Sequence, residues 1–166
     1  MTPLIAPLPV STTTNMKVII LQGVPGSGKS FYANEFVAHA NVKSVICSAD
    51  DYFYELGGGT KYAFDASKLG QAHGACFRRF IGAVRSEVPV VVVDNTNTTV
   101  SEISPYVLGG EAYGYEVEVV QVLCDPAVAA ARNTHGVPEK AIQAMAARIA
   151  SCSCPPWWKV TTVQAG

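Results

Sequence analysis

At 166 residues the chain has room for one domain with a substantial core and little space for a second module. Charged residues make up 15% of it, well under the ~25% of ordinary soluble domains, which fits a deeply buried sheet or an oligomer surface. A net charge of −1 argues against a long nucleic-acid track, and no apolar run approaches the ~20 residues of a membrane span.

Residues 1–15 are rich in Thr and Pro and hold no Lys or Arg, which predicts a disordered leader rather than a secretory signal. A single domain is then expected over 16–166, with Met16 as a possible effective start. Lys17-Val18-Ile19-Ile20-Leu21-Gln22 is apolar and β-branched, the pattern of a buried parallel strand. Gly23-Val24-Pro25-Gly26-Ser27-Gly28-Lys29-Ser30 comes next, a complete G-x-x-x-x-G-K-S motif, and good helix formers run from Lys29 to about His39. Strand, glycine loop and helix are the context this motif requires. Glycines let the backbone curl so that successive N–H groups converge on one anion, and the helix adds its positive end. All eight residues are expected to cradle the phosphates of ATP. Lys29 reaches the β and γ groups, and the Ser30 hydroxyl ligates Mg²⁺.

Strand two, Ser44 to Ser48, ends at Asp50-Asp51 and leads into a loop holding Gly57-Gly58-Gly59. A helix follows from about Asp65 to Ser86, since Leu69, Ala72, Cys76, Phe77, Phe80, Ile81 and Val84 recur at intervals of three and four. Strand three, Val88 to Val93, has Val at five of six positions and closes on Asp94. A helix from about Ser101 to Ala112 precedes strand four, Glu116 to Leu123. Asp125 and Pro126 suit N-cap and N1 of a helix that ends near Asn133. A tight His135-Gly136 turn follows, then a helix from Pro138 to about Ile149, and Trp158 to Val163 reads as a last strand. The fold class is α/β: a P-loop NTPase fold with a parallel sheet of four or five strands, helices on both faces, and a helical lid over about 126–150.

Five cysteines at irregular spacing predict free thiols in a reducing cytoplasm, with Cys47 and Cys124 in buried strands and Cys76 on a helix's apolar face. Cys152-Ser153-Cys154 has the wrong spacing for a zinc knuckle.

Open parallel sheets hold ligands at the carboxyl ends of their strands. Phosphoryl transfer needs a carboxylate to take the acceptor's proton, metal and lysine on the phosphates, and arginine over the migrating group. Asp50, directly after strand two, is the candidate base, and Asp51 is the competing choice. Asp94 ends its strand as a Walker-B-like acid does, placed to hold Mg²⁺ through water or to position the acceptor. Asn95, Thr96 and Asn97 suit either substrate hydrogen bonds or a plain turn. Arg132 and His135 sit where a lid closes over the nucleotide, and guanidinium matches phosphate oxygens bidentately. Tyr52, Phe53 and Tyr54 are candidates for stacking a base. Arg78 or Arg79, with Lys61 and Lys68, would hold one or two acceptor phosphates. His73, on the same helix as Arg78, faces either the substrate or the core.

Gly23–Ser30, Ser48-Ala49-Asp50-Asp51-Tyr52-Phe53, Leu69-Gly70-Gln71-Ala72-His73, Val93-Asp94-Asn95-Thr96-Asn97 and Arg132-Asn133-Thr134-His135-Gly136-Val137-Pro138 fall in an order that resembles the phage-type polynucleotide 5′-kinases. The likeness is greatest to the branch found in an animal ubiquitin-ligase-binding protein with a Smr-type nuclease domain, and it spans about residues 17–150. It implies transfer of the γ-phosphate of ATP to a 5′-hydroxyl of DNA or RNA. It further implies Asp50 as base, Lys29 and Ser30 on the nucleotide, Asp94 near the acceptor, and Arg132 on the lid. The better-known phage enzymes carry an arginine where this chain has Phe53, and an additional lid arginine where it has His135. With so little charge, the expected substrate is a nucleic-acid end or a single modified base, held over a short footprint. The alternatives are a kinase for a hydroxymethyl group on a DNA base such as 5-hydroxymethyluracil in phage DNA, a small-molecule kinase acting on a nucleoside, sugar or antibiotic, and a nucleotide-binding switch. A phage protein would act in the bacterial cytoplasm. The sequence does not specify an oligomeric state.

Overall fold

A computed structural model of the chain describes residues 15–164. The leader expected over 1–15 therefore lies outside the described residues, apart from Asn15. Five strands form one sheet in the order β2-β3-β1-β4-β5: β1 (Lys17–Gln22), β2 (Ser44–Cys47), β3 (Val90–Asp94), β4 (Glu116–Leu123) and β5 (Lys159–Gln164). Every pairing is parallel, and the register sets Leu21 beside Asp94 on one side and Val120 on the other. β1 is thus central, as its unbroken apolar run requires, because a parallel strand covered on both faces has no solvent side to mark with polar residues.

Alternate β1 residues serve two cores. Val18 and Ile20 pack with α3 (Leu69–Arg85) and α4 (Val100–Ala112), where Phe80 meets Tyr106 edge-on at 5.0 Å between ring centroids. Ile19 and Leu21 face α1 (Lys29–His39) through Ala33, with Tyr32 and Phe36 beside it. A third, smaller cluster sets Val24 against Ala129 of α5 (Pro126–Arg132) and Ile142 of α6 (Glu139–Ala150). That contact fixes the α5–α6 pair above the glycine loop.

Three local features differ from the expectations. The segment after β2 is a helix, α2 (Asp50–Leu56), and the glycine turn begins only at Gly57. Burial of Phe53, 1% exposed, supplies the packing that the weak helix propensity of Tyr52-Phe53-Tyr54 does not. A single 3-10 turn, Ala66–Lys68, precedes α3, and the Asp65 side chain accepts from the Ser67 N–H at its start. Cys124 lies past the end of β4 and is half-buried rather than inside the strand. The other elements fall within two residues of their expected bounds, including the Asp125 cap, whose carboxylate accepts from the Ala127 and Val128 N–H groups. Burial pushes the thiol of Cys47 up to about 12 and raises that of Cys76, so these core cysteines are unreactive packing groups.

Phe80 is fully buried and Phe31 is 73% exposed. Phe80→Ala is expected to cost about 3–5 kcal/mol in urea unfolding. Phe31→Ala, with almost nothing to lose, should stay within roughly 0.5 kcal/mol of wild type.

Candidate functional site

The chain leaves β1 through Gly23–Ser30, and the loop's geometry depends on two glycines with positive φ, Gly26 at 79° and Gly28 at 98°. A Cβ on Gly26 would collide with the Ala129 carbonyl, so this glycine also allows α5 to sit against the loop. Gly23 N–H donates to the Thr96 carbonyl at 3.1 Å, tying the loop to the end of β3. Lys29 Nζ donates to the Val24 carbonyl at 2.9 Å. Ser30 Oγ donates to Asp94 Oδ2 at 2.7 Å.

The loop and Asp94 form an electrostatically strained pair. Burial holds the Lys29 ammonium below its ordinary value against the attraction of Asp94 and Asp50. Burial likewise raises the Asp94 carboxyl, opposed by Lys29 and by the Ser30 hydroxyl. Each group is more costly to charge here than in water, as a site awaiting further charge partners would be.

A cleft of about 1230 Å³ opens above these groups at the carboxyl ends of the strands. Asp50, at the first position of α2, lines it. Tyr62 O–H donates to Asp50 Oδ1 at 2.9 Å, and His135 Nδ1 stands 3.8 Å from Asp50 Oδ2. Arg132 at the end of α5 and the turn 133–138 form the opposite wall. His73, Thr96 and the glycine-loop residues Pro25, Gly26, Gly28, Lys29 and Ser30 also face the cleft.

Several expected substrate residues are held by neighbouring groups of the protein, although Phe53 and Asn95 also line the cleft. Phe53 is packed under the cleft against Tyr52, Tyr62 and Phe64 and has no open face for a base. Asn95 is buried: its side-chain oxygen accepts from the Ala49 N–H at 2.8 Å and its amide donates to Cys76 Sγ at 3.4 Å. Asn97, 3% exposed with φ 46°, donates to the Leu21 carbonyl at 2.7 Å and accepts on its own carbonyl from Gln22 Nε2 at 2.8 Å. Both asparagines therefore brace strand ends. Asp51, Tyr52 and Arg78 line a separate pocket of about 180 Å³ between α2 and α3. There Asp51 pairs with Arg79, and Tyr52 O–H donates to Gln71 Oε1 at 3.0 Å.

The cleft also draws on residues that sequence reasoning passed over. Tyr62 and Phe64 line it beside Asp50, and Met145, Val163 and Gln164 line it as well. The signal for the first group is the glycine turn. Gly58 and Gly59 have φ of 82° and 91°, and a Cβ on Gly57 would collide with the Lys61 carbonyl. Those three residues fold the chain back along α2, where the Ala63 N–H donates to the Phe53 carbonyl at 3.0 Å.

The residues present fit a nucleoside triphosphate with Mg²⁺. Ser27 Oγ is buried with no hydrogen-bond partner among the described residues, inside a loop that already converges donors on an anion. Ser30 and Asp94 together offer the hard oxygen ligands that Mg²⁺ takes alongside phosphates and water. No cluster of three metal-binding side chains exists among the described residues.

A family model described as an AAA domain matches residues 18–151. The chain belongs to that family. It is 36% identical over 132 residues to human NEDD4-binding protein 2, an alignment covering 77% of this chain and 7% of that protein. The chain thus corresponds to a small part of this relative's length. Among solved structures, a chain of the Pnkp1/Rnl/Hen1 RNA repair complex superposes with a TM-score of 0.67 at 18% identity, over 86% of this chain and 46% of that one. A sugar kinase from Janibacter gives 0.63 at 13% identity, over 90% and 85%. A gluconokinase from Sinorhizobium meliloti gives 0.57 at 16% identity, over 90% and 83%. At these identities the likeness is one of fold, and the fold is that of the P-loop kinases.

The raised Asp94 carboxyl carries a pH signature. A folded value above the ordinary 3.8 means that Asp94 supports the folded state fully below that pH and loses this support as pH rises through the folded value. Asp94→Asn keeps an oxygen for the Ser30 hydroxyl and removes the ionisation. In nucleotide-free protein its Tm is expected to exceed wild type near neutral pH, with the gap closing as pH falls toward about 4. Thermal unfolding across roughly pH 4 to 8 checks both the sign and the window.

Proposed function

We propose that this chain is an ATP- and Mg²⁺-dependent kinase that phosphorylates a hydroxyl of a nucleic acid, foremost the 5′-hydroxyl of DNA or RNA. The observation that carries this reading is the meeting of Asp50 with Lys29, Ser30 and Asp94 at one end of a single cleft. The acceptor hydroxyl oxygen attacks the γ-phosphorus, its proton passes to Asp50, and ADP leaves with the bond to the bridging oxygen. Asp50 Oδ1 is engaged by Tyr62, and Oδ2, which makes no hydrogen bond among the described residues and has His135 Nδ1 3.8 Å away, would take that proton. Lys29 and the loop N–H groups hold the β and γ oxygens, and Arg132 neutralises charge on the transferring group from the α5–α6 lid. Ser30 and Asp94 would hold Mg²⁺, which when bound would supply charge neutralisation on the phosphates.

Two features favour a base-bearing acceptor. The wall beside Asp50 is aromatic, with Tyr62 and the 55% exposed Phe64 stacked at 14° between ring planes, and an exposed ring offers a stacking face to a nucleobase. The likeness to a chain from an RNA repair complex points the same way. A net charge of −1 suits a short footprint such as a strand end, a nucleoside or one modified base. The same charge, together with the likeness to sugar kinases, supports the second reading of a small-molecule acceptor.

Transfer of labelled γ-phosphate to 5′-hydroxyl DNA and RNA, hydroxymethyluracil-containing DNA, nucleosides and simple sugars distinguishes these. We expect label on an oligonucleotide 5′ end and a fall of at least ~100-fold with Asp50→Ala. Label confined to sugars or nucleosides would establish the second reading.

A further inference from the structure

Tyr62 contributes to the cleft from the fold-back that follows Gly57-Gly58-Gly59, and it touches both halves of the site. Its hydroxyl donates to Asp50 Oδ1 at 2.9 Å. Its ring lies flat on the imidazole of His135, with centroids 4.0 Å apart and planes 12° from parallel. His135 sits in the turn between α5 and α6, where its backbone N–H donates to Asn133 Oδ1 at 3.0 Å and Asn133 donates in turn to the Val137 carbonyl at 2.7 Å. Its Nε2 meets Tyr54 Oη at 3.3 Å, and its Nδ1 faces Asp50 Oδ2 at 3.8 Å. Three side chains from the acceptor side, Asp50, Tyr54 and Tyr62, therefore close around one lid residue.

We propose that Tyr62 is a positioning residue that ties lid closure to the catalytic base: its hydroxyl fixes the rotamer of Asp50, and its ring seats His135, so the lid comes down where the base is already aimed. The inference rests on the kinase reading above and adds to it which residue couples the two walls. A carboxylate free to rotate about its side-chain torsions would offer Oδ2 to the acceptor only part of the time. A phenol held by burial and by Asp50 itself in its protonated form is a permanent donor to the other oxygen. The stack also explains a turn histidine whose side chain is 25% exposed, where a solvated turn would leave it open. It accounts for the three consecutive glycines as well, because only their backbone freedom and lack of Cβ bring the chain back over Asp50.

The two contacts separate by mutation. Tyr62→Phe keeps the ring and removes the hydroxyl, whereas Tyr62→Ala removes both. Tyr62→Phe should lower kcat about tenfold with the KM for ATP unchanged and the lid as protected as in wild type. Tyr62→Ala should lower kcat further and speed amide exchange across 132–137 in the nucleotide-free protein, matching His135→Ala. An unchanged kcat in Tyr62→Phe overturns the role at Asp50, and unchanged lid exchange in Tyr62→Ala overturns the seat for His135. A wild type that phosphorylates none of the acceptors would sink the kinase reading instead, and amide exchange, which needs no turnover, still decides whether Tyr62 holds the lid.

Discussion

Burying Lys29 and Asp94 together at the carboxyl ends of neighbouring strands sets up a conflict that the protein relieves only in part. Their mutual attraction, aided by the Ser30 hydroxyl, does not make up for the lost hydration, and both groups are displaced toward their neutral forms. A site in that condition gains from a ligand that brings its own compensating charge. Triphosphate oxygens would complete the coordination of Lys29, and Mg²⁺ would complete that of Asp94. The rest of the structure serves to hold this pair in place. β1 delivers the loop, β3 delivers the carboxylate, and the parallel register sets the two side by side.

The sheet order then decides what surrounds the pair. After β1 the chain moves outward to β2, returns to β3, and then crosses to β4 and β5 on the far side. Segments that leave β2 and β3 build one wall of the cleft, and α5 and α6, which follow β4, build the other. This is the crevice geometry of open parallel sheets, where consecutive loops part in opposite directions and leave room for ligands between them. Gly26 is the joint of the arrangement, since only a residue without Cβ lets α5 pack on the loop.

Much of this was legible in the residues themselves. The glycine loop, the valine run ending at Asp94 and the Asp125-Pro126 cap each carry a local physical signature, and each lies where its signature places it. Asn95 and Asn97 show the opposite. Their amides suit a substrate as well as a turn, and only the packed structure reveals that Ala49, Cys76 and Leu21 engage them. Phe53 likewise has no pattern that distinguishes a stacking platform from a core ring. Asp50 and Asp51 are adjacent in sequence, yet the helical turn that begins at Asp50 swings the second carboxylate to Arg79 of α3, in the pocket between the two helices.

Periodicity, β-branched runs and the phosphate-binding motif determined the α/β sheet, the nucleotide loop and the carboxylates at its strand ends, because each depends on residues within a few positions of one another. Tertiary structure alone decided which of the candidate polar groups reach the cleft. It also decided that Tyr62, twelve residues from Asp50 and seventy-three from His135, joins the two. Contacts between distant segments depend on how the helices pack across the sheet, and no local pattern encodes that packing.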